Sequence, residues 1–273
     1  MKNGYYTARS QELLRHFDET ARLARARLAP SHGHEFTEAV AREVRHEYER
    51  LIPEIPFIPG ARARPLNAFL RITAQELAVY RVMKRRGRSA DEAWEICHEA
   101  IVARMDMYPA CKAWFLRKIM FCRAMKRRVR KRASNGHQLR FGDFDVRYLI
   151  GDGESFDWGV DYVACGNYEF MKEQGAEEFA PYVCLSDMAL GEALDWGLTR
   201  TETLADGCDR CDFRFKKGGG THISSRTPEV QRTIERIQGK ETWELPWTVP
   251  TQSAVCLVHD RPMRTSSVEP ERR

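Results

Sequence analysis

Residues 165–215 read CGNYEFMKEQGAEEFAPYVCLSDMALGEALDWGLTRTETLADGCDRCDFRF and contain four of the chain's eight cysteines. Apolar residues recur at near-helical spacing after Pro181, a residue suited to the first position of a helix. Cys184 and Asp187 are three residues apart, so one helix would place them on one face. Gly197 suits the left-handed position that ends such a helix. The stretch therefore predicts a helix that carries a thiol beside a carboxylate.

Two strands are predicted after this helix. Residues 198–205 alternate, with Thr201 and Thr203 on one side and Arg200 among leucines on the other. An Asp-Gly turn follows, and alternation resumes at Cys211. The pattern predicts a hairpin of two strands. A charge among apolar neighbours needs an anion, so Arg200 is expected to meet Asp187 or a substrate carboxylate.

Upstream of residue 165 the same alternation appears twice. Residues 144–150 and 156–164 each place apolar residues, most of them aromatic or β-branched, at every second position, which is typical of a half-buried strand. With the hairpin they predict a four-stranded antiparallel sheet with helices on one face.

The first half of the chain is predicted to be helical. Pro65 opens one helix, Ser89 and Glu92 form the capping box of another, and a further helix is predicted from about Ala110 to Lys131. The last of these has six core candidates: Trp114, Phe115, Ile119, Phe121, Cys122 and Met125.

The predicted fold class is therefore α+β, with three segments in order. Residues 1–135 form a helical part, and residues 136–217 form the sheet with crossing helices that carry the site. Residues 218–273 form a tail with a possible helix over 228–238 and are partly disordered beyond residue 263. Two tryptophans near Pro246 suggest that this tail docks on the body or on a second subunit, so a homo-oligomer is possible.

The helix before residue 135 ends in a dense basic run, RAMKRRVRKR, over residues 123–132. Such a run is typical of a patch that binds nucleic acid or acidic lipid. It is equally typical of a solvated helix end whose cations complement the helix dipole. Because no zinc-finger spacing, heptads or Gly/aromatic repeats accompany it, the second interpretation is preferred, with no nucleic acid and no membrane as partner.

Composition limits the class of protein. An apolar fraction of 42% and a charged fraction of 30% are those of a soluble globular protein. No apolar run reaches the length of a membrane span, and the N-terminus lacks the apolar region of a signal peptide. A cytoplasmic protein with reduced cysteines is expected. The 44 Lys and Arg residues only slightly exceed the 39 Asp and Glu residues. This excess does not by itself indicate nucleic acid, and small anionic substrates fit it equally well.

The order of residues within 165–215 resembles that of the L-2-amino-thiazoline-4-carboxylic acid hydrolase family. The similarity extends over roughly residues 40–216. The resemblance implies hydrolysis of a carbon–nitrogen bond in a small ring, since the namesake substrate is a cyclic amidine bearing a carboxylate. A weaker likeness to vinyl-reductase-type domains implies small-molecule binding without turnover. The resemblance to the hydrolases rests on these residues: Cys165, Cys184, Asp187, Arg200, Thr201, Thr203, Gly207, Cys211, Asp212 and Phe213.

Three interpretations of the cysteines stay open. In the first, the dipole of its helix activates Cys184 as a nucleophile with help from Arg200, and Asp187 moves the proton. In the second, Cys165, Cys184 and Cys211 join Asp187 in binding zinc, which would activate a water molecule. In the third, the thiols only line a binding pocket.

The first interpretation is adopted, because no paired zinc-binding motif accompanies the thiols. Cys184, Asp187 and Cys211 are predicted to be catalytic. No metal and no cofactor are expected. Four further residues are predicted to bind the substrate: Arg200, Thr201, Thr203 and Cys165.

Overall fold

The structure, a computed structural model, describes residues 4–134 and 139–239. Before the sheet these residues form helices, most of which are joined by short turns, while a longer connector over residues 52–63 separates the third helix from the fourth. Pro65 lies in the first turn of the fourth helix, and Ser89 and Glu92 form the capping box that opens the fifth, both as predicted. The bounds are α1 Gly4–Thr7, α2 Ser10–His32, α3 His34–Leu51, α4 Arg64–Arg85, α5 Ala90–Asp106, α6 Ala110–Met120 and α7 Arg123–Ser134.

The prediction of a single helix from about Ala110 to Lys131 is wrong, because the helix is interrupted at Phe121 and Cys122, between α6 and α7. Three of its predicted core residues are exposed: Trp114, Phe115 and Ile119. Periodicity identifies an apolar face but does not say what covers it, so the pattern alone could not reveal this exposure.

The sheet has six strands within the described residues: β1 Leu139–Phe141, β2 Phe144–Ile150, β3 Trp158–Ala164, β4 Leu198–Arg200, β5 Cys211–Phe215 and β6 His222–Ile223. Their spatial order is β1-β2-β3-β5-β4-β6. All pairs are antiparallel except β4 and β6, which are parallel.

The expectation of four antiparallel strands is therefore corrected to a mixed six-stranded sheet. The α+β class, with helices preceding the sheet, is confirmed. Strands β1 and β6 have three and two residues, too few for alternation to be recognised. The predicted strand over 198–205 is also corrected, because β4 ends at Arg200.

The remaining helices surround the cysteine-rich stretch. Helix α8 spans Gly166–Glu173 between β3 and β4, and is followed by α9 Ala180–Val183 and α10 Ser186–Ala193. Helix α11 covers Pro228–Gln238, as predicted. The tryptophans of the predicted tail, Trp243 and Trp247, lie outside the described residues.

The two faces of the sheet differ in character. One face carries Val146, Trp158, Val160 and Phe215, which pack against Val129 of α7 in one buried cluster. The opposite face is charged, with the Asp161 carboxylate 2.7 Å from the Arg214 guanidinium.

A larger cluster of buried apolar residues joins the N-terminal helices to α8–α11. It includes Tyr48 of α3, Leu77 of α4, Met188 of α10 and Ile234 of α11. Within the described residues, none of the helices combines the length and apolar character needed to cross a bilayer.

Candidate active site

A cavity of about 570 Å³ lies between the apolar face of the sheet and helices α4 and α6–α10. Its walls are mainly apolar, with Phe144, Trp158, Val160 and Phe213 from the sheet. Five sequence-predicted site residues line this one cavity: Cys165, Cys184, Asp187, Arg200 and Cys211.

An ion pair between strand β4 and helix α10 forms the charged part of the cavity. Arg200, the last residue of β4, is only 1% exposed. Its Nη1 donates to Asp187 Oδ2 at 2.6 Å and to the carbonyl oxygen of Cys184 at 2.8 Å. The Nε atom of Arg200 is buried with no hydrogen-bond partner among the described residues. A buried donor without an acceptor is a natural contact for an anionic ligand.

Asp187 lies in the first turn of α10, and its side chain is 29% exposed. Burial raises the pKa of Asp187, although the charge of Arg200 and its hydrogen bond oppose the rise. A carboxylate with a raised pKa is a stronger base than an ordinary aspartate.

The sequence predicts Cys184 in the N-terminal turn of a long helix. The structure does not place it there. It follows the four-residue helix α9 and precedes Ser186, where α10 begins. The connection is a tight turn, since the N–H of Leu185 donates to the carbonyl of Tyr182. Burial raises the pKa of the Cys184 thiol, with Arg200 acting in the opposite direction. The net effect of this environment is therefore opposite to the activation expected from a helix dipole, and the thiol is protonated at neutral pH.

The other two thiols of the cavity are protonated for the same reason. Cys165 precedes the first residue of α8, and Cys211 begins β5. Burial raises the pKa of both thiols. The sulfur of Cys211 also accepts a hydrogen bond from the N–H of Leu204 at 3.2 Å.

Thr201 and Thr203 do not line the cavity. The Thr201 hydroxyl donates to the Asp212 carboxylate at 2.9 Å, and the Thr203 hydroxyl donates to Asp206 at 2.9 Å. Asp212 also accepts the N–H groups of Thr201 and Glu202, at 2.7 and 2.6 Å. The Asp212 carboxylate thus takes two backbone N–H groups directly after Arg200, where β4 ends.

Glu76 is a cavity residue that the sequence analysis missed. It lies on α4, is buried, and its Oε1 accepts a hydrogen bond from the Ser186 hydroxyl at 2.5 Å. Its Oε2 is buried with no partner among the described residues. Burial raises the pKa of Glu76 to about 8, and the Asp187 charge adds to the rise. One feature of the sequence could have identified Glu76: it is an acidic residue between Thr73 and Leu77, which belong to the apolar stripe of α4.

Across residues 4–134 and 139–239, no group of three or more His, Cys, Asp or Glu side chains is placed to hold a metal ion. The zinc interpretation of Cys165, Cys184, Cys211 and Asp187 therefore lacks the geometry that it requires.

The fold and the cavity define an α+β protein whose site suits a small molecule with an apolar body and a polar group. Residues 68–215 match the family described as L-2-amino-thiazoline-4-carboxylic acid hydrolase. The chain belongs to this family, as its sequence had predicted. Apart from Pro65 and Leu66, all residues that line the cavity fall within the matched range. Comparison with curated proteins and with solved structures gave no significant match.

Proposed function

We propose that this protein hydrolyses a carbon–nitrogen bond in a small ring that bears a carboxylate, such as a cyclic amidine or a lactam. The observation that carries the proposal is the convergence of Arg200, Asp187, Glu76 and Cys184 on one cavity inside the matched family range. The family name points to a hydrolase, and 2-amino-thiazoline-4-carboxylate is the first substrate to test.

The cavity suits such a ring on physical grounds. Its apolar walls favour the body of a small heterocycle. The unpartnered Nε of Arg200 provides a donor for the ring carboxylate, and pairing removes the penalty of about 1–3 kcal/mol for a buried, unsatisfied polar group. We therefore assign Arg200 to substrate binding.

Ring opening needs a nucleophile at the ring carbon and a proton for the departing nitrogen. In the proposed first step the Asp187 carboxylate takes the Cys184 thiol proton while the sulfur bonds to the ring carbon. The carbon–nitrogen bond then breaks, and the nitrogen takes a proton from the neutral carboxyl of Glu76. The raised pKa of Asp187 and the pKa of Glu76 near 8 support these two roles.

Water completes the reaction in a second step. It adds to the same carbon and gives one proton to the Glu76 carboxylate, while the carbon–sulfur bond breaks and Asp187 returns its proton to the Cys184 sulfur. The net change is the addition of one water molecule, with the hydroxyl on carbon and the proton on nitrogen. All three side chains return to their starting protonation states.

A binding protein without turnover is the second candidate. The observation that favours it is that burial raises the pKa of all three thiols in the cavity, Cys165, Cys184 and Cys211, so none is a thiolate at rest. Binding would need only the apolar walls and Arg200.

The deciding experiment compares Cys184→Ala with the matched control Cys111→Ala, since Cys111 is an exposed thiol on α6. Ring opening of 2-amino-thiazoline-4-carboxylate should fall about 10³-fold or more in Cys184→Ala. It should be unchanged in the control. Circular dichroism should show both variants folded.

The other outcomes identify the alternatives. Full activity of Cys184→Ala would reject the thiol as nucleophile. Loss of activity in an Asp187→Asn variant that circular dichroism shows to be folded would then indicate water activated by the carboxylate. Ligand binding by the wild-type protein without any turnover would favour the binding protein.

A further inference from the structure

Helix α6 is an apolar helix that the described part of the protein does not cover. None of its eleven residues is buried. Trp114 is 53% exposed, Phe115 59% and Ile119 43%, and Met107 in the preceding turn is 65% exposed. Scattered exposed apolar residues are ordinary, but a group on one short helix marks an interaction surface.

The same part of the chain has a one-sided charge. Residues 107–134 contain ten Lys and Arg residues and no Asp or Glu. Because the whole chain has a net charge of +5, the remainder of the sequence is net acidic. The positive charge is therefore concentrated on α6 and α7.

Few of these cations have an acidic partner. Lys126 lies 2.7 Å from Asp157, and Arg117 pairs with Asp195. For the other eight, the described residues provide no ion pair. Lys118 lies over the ring of Trp114 instead, 5.3 Å from its centroid. Trp114 and Lys118 thus place an aromatic and a cationic group side by side on α6.

We infer that the surface formed by α6 and α7 docks on a phospholipid bilayer that contains anionic lipids. Trp and Phe side chains insert into the headgroup boundary, and Lys and Arg side chains attract anionic headgroups. The surface also includes the non-aromatic apolar side chains of Met107, Leu116 and Ile119. These favour a bilayer over nucleic acid, because proteins bind nucleic acid through aromatic stacking and phosphate contacts. A helix of eleven residues is far too short to span a bilayer, so it lies on the surface.

Docking would also set the cavity close to the bilayer. Leu116 and Ile119 are exposed, and both also line the cavity with Met120 and with Met125 of α7. Helices α6 and α7 therefore stand between the cavity and the proposed docking surface. The inference does not depend on the proposed hydrolysis.

The test is co-sedimentation of the full chain with vesicles of phosphatidylcholine, with and without phosphatidylglycerol. Binding is expected only with phosphatidylglycerol, and it should weaken as salt increases. Trp114→Ser/Phe115→Ser and Lys112→Glu/Lys118→Glu should each weaken binding about tenfold or more. The matched control is Ile150→Ser, which removes an exposed apolar side chain at the end of β2.

Each contrary outcome overturns the inference in a specific way. Absence of binding to the anionic vesicles would reject it directly, as would binding that both double variants retain. A fall in molecular mass by light scattering in Trp114→Ser/Phe115→Ser would assign the surface to self-association. Tight binding of a duplex oligonucleotide, lost in the same variants and without vesicle binding, would assign it to nucleic acid. Circular dichroism establishes that the variants are folded, as expected for exposed positions.

Discussion

Glu76 has the most consequential environment of any single residue in the cavity. Burial beside Asp187 raises its pKa from 4.5 to about 8, so its carboxyl is neutral at pH 7. In the unfolded chain the same group ionises near its ordinary pKa. Between these two values the folded state holds a proton that the unfolded state has lost. Folding stability therefore falls as the pH rises from about 4.5 to about 8.

We predict that Glu76→Gln removes this pH dependence. The neutral amide mimics the protonated carboxyl and can still accept the Ser186 hydrogen bond. The free energy of unfolding at pH 9 should exceed that of the wild-type protein by a few kcal/mol, about 1.4 kcal/mol for each pKa unit of the shift as an upper bound. Near pH 4 the difference should vanish. Urea unfolding at the two pH values measures this.

The matched control is Glu47→Gln. Glu47 is also a buried carboxylate, but it contacts the guanidinium groups of Arg81 and Arg85 at 3.3 and 3.0 Å. Its removal should lower stability at neutral pH, the opposite sign. An equal loss of stability in Glu76→Gln at both pH values would contradict the assignment of a neutral Glu76.

The buried pair of Arg200 and Asp187 gives the second prediction at this scale. Asp187→Asn leaves the guanidinium without a counter-charge, which should lower the free energy of unfolding by about 3–5 kcal/mol. The double variant Asp187→Asn/Arg200→Met should lose less than the sum of the two single changes, because it removes both charges. A double-mutant cycle from urea unfolding measures the coupling. Strict additivity would mean that the two side chains do not interact in solution.

At the scale of elements, strand β4 depends on a close approach of two backbones. Gly197, the residue before β4, has a φ of +56°, and a Cβ there would lie 1.9 Å from the carbonyl oxygen of Lys216. The N–H of Lys216 also donates to the Gly197 carbonyl at 2.9 Å. This contact fixes where β4 begins, and thereby where Arg200 enters the cavity.

We predict that Gly197→Ala is far more damaging than Gly175→Ala. Gly175 has a similar φ of +65°, but among the described residues no atom beyond its chain neighbours lies within 4 Å of an added Cβ. The change at Gly175 should therefore lower stability by about 1 kcal/mol, from backbone conformation alone. The change at Gly197 must also displace backbone and should lower it by more than about 3 kcal/mol. Thermal unfolding of the two variants tests this, and equal losses would contradict the close approach.

At the scale of the whole molecule, the core extends beyond the residues that match the family. Tyr48 of α3 is fully buried, and so are Val230 and Ile234 of α11. All three belong to the cluster that also contains Leu77 and Met188. The matched range alone would leave much of this apolar surface exposed.

We predict that Ile234→Ala lowers the free energy of unfolding by about 2–5 kcal/mol, because it creates a cavity in the shared core. The matched control is Glu229→Ala on the same helix, where the side chain is exposed and pairs with Arg232. The control should change stability little, because an exposed ion pair contributes little. Urea unfolding measures both changes. A negligible effect of Ile234→Ala would mean that α11 does not contribute to the core in solution.

Local sequence signals by themselves determined several elements. Pro65 and the Ser89–Glu92 capping box predicted the starts of α4 and α5, and alternation predicted β2 and β3. The helix over 228–238 was predicted from its local pattern. These features depend on backbone stereochemistry and on the spacing of apolar side chains along the chain. Both are determined by residues close together in sequence. The order of residues from Cys165 to Phe213 was also sufficient to predict the family.

Only the tertiary structure decided the other features, because they depend on contacts between residues distant in sequence. The Asp212 carboxylate takes two backbone N–H groups directly after Arg200, where β4 ends, and β6 adds a parallel strand that is too short to detect. Burial, which no local pattern measures, raises the pKa of the Cys184 thiol where a helix dipole was expected to lower it. The same desolvation makes Glu76 a neutral acid. The exposure of Trp114 and Phe115 was likewise hidden, because an apolar stripe has the same sequence whether the protein core or a partner covers it.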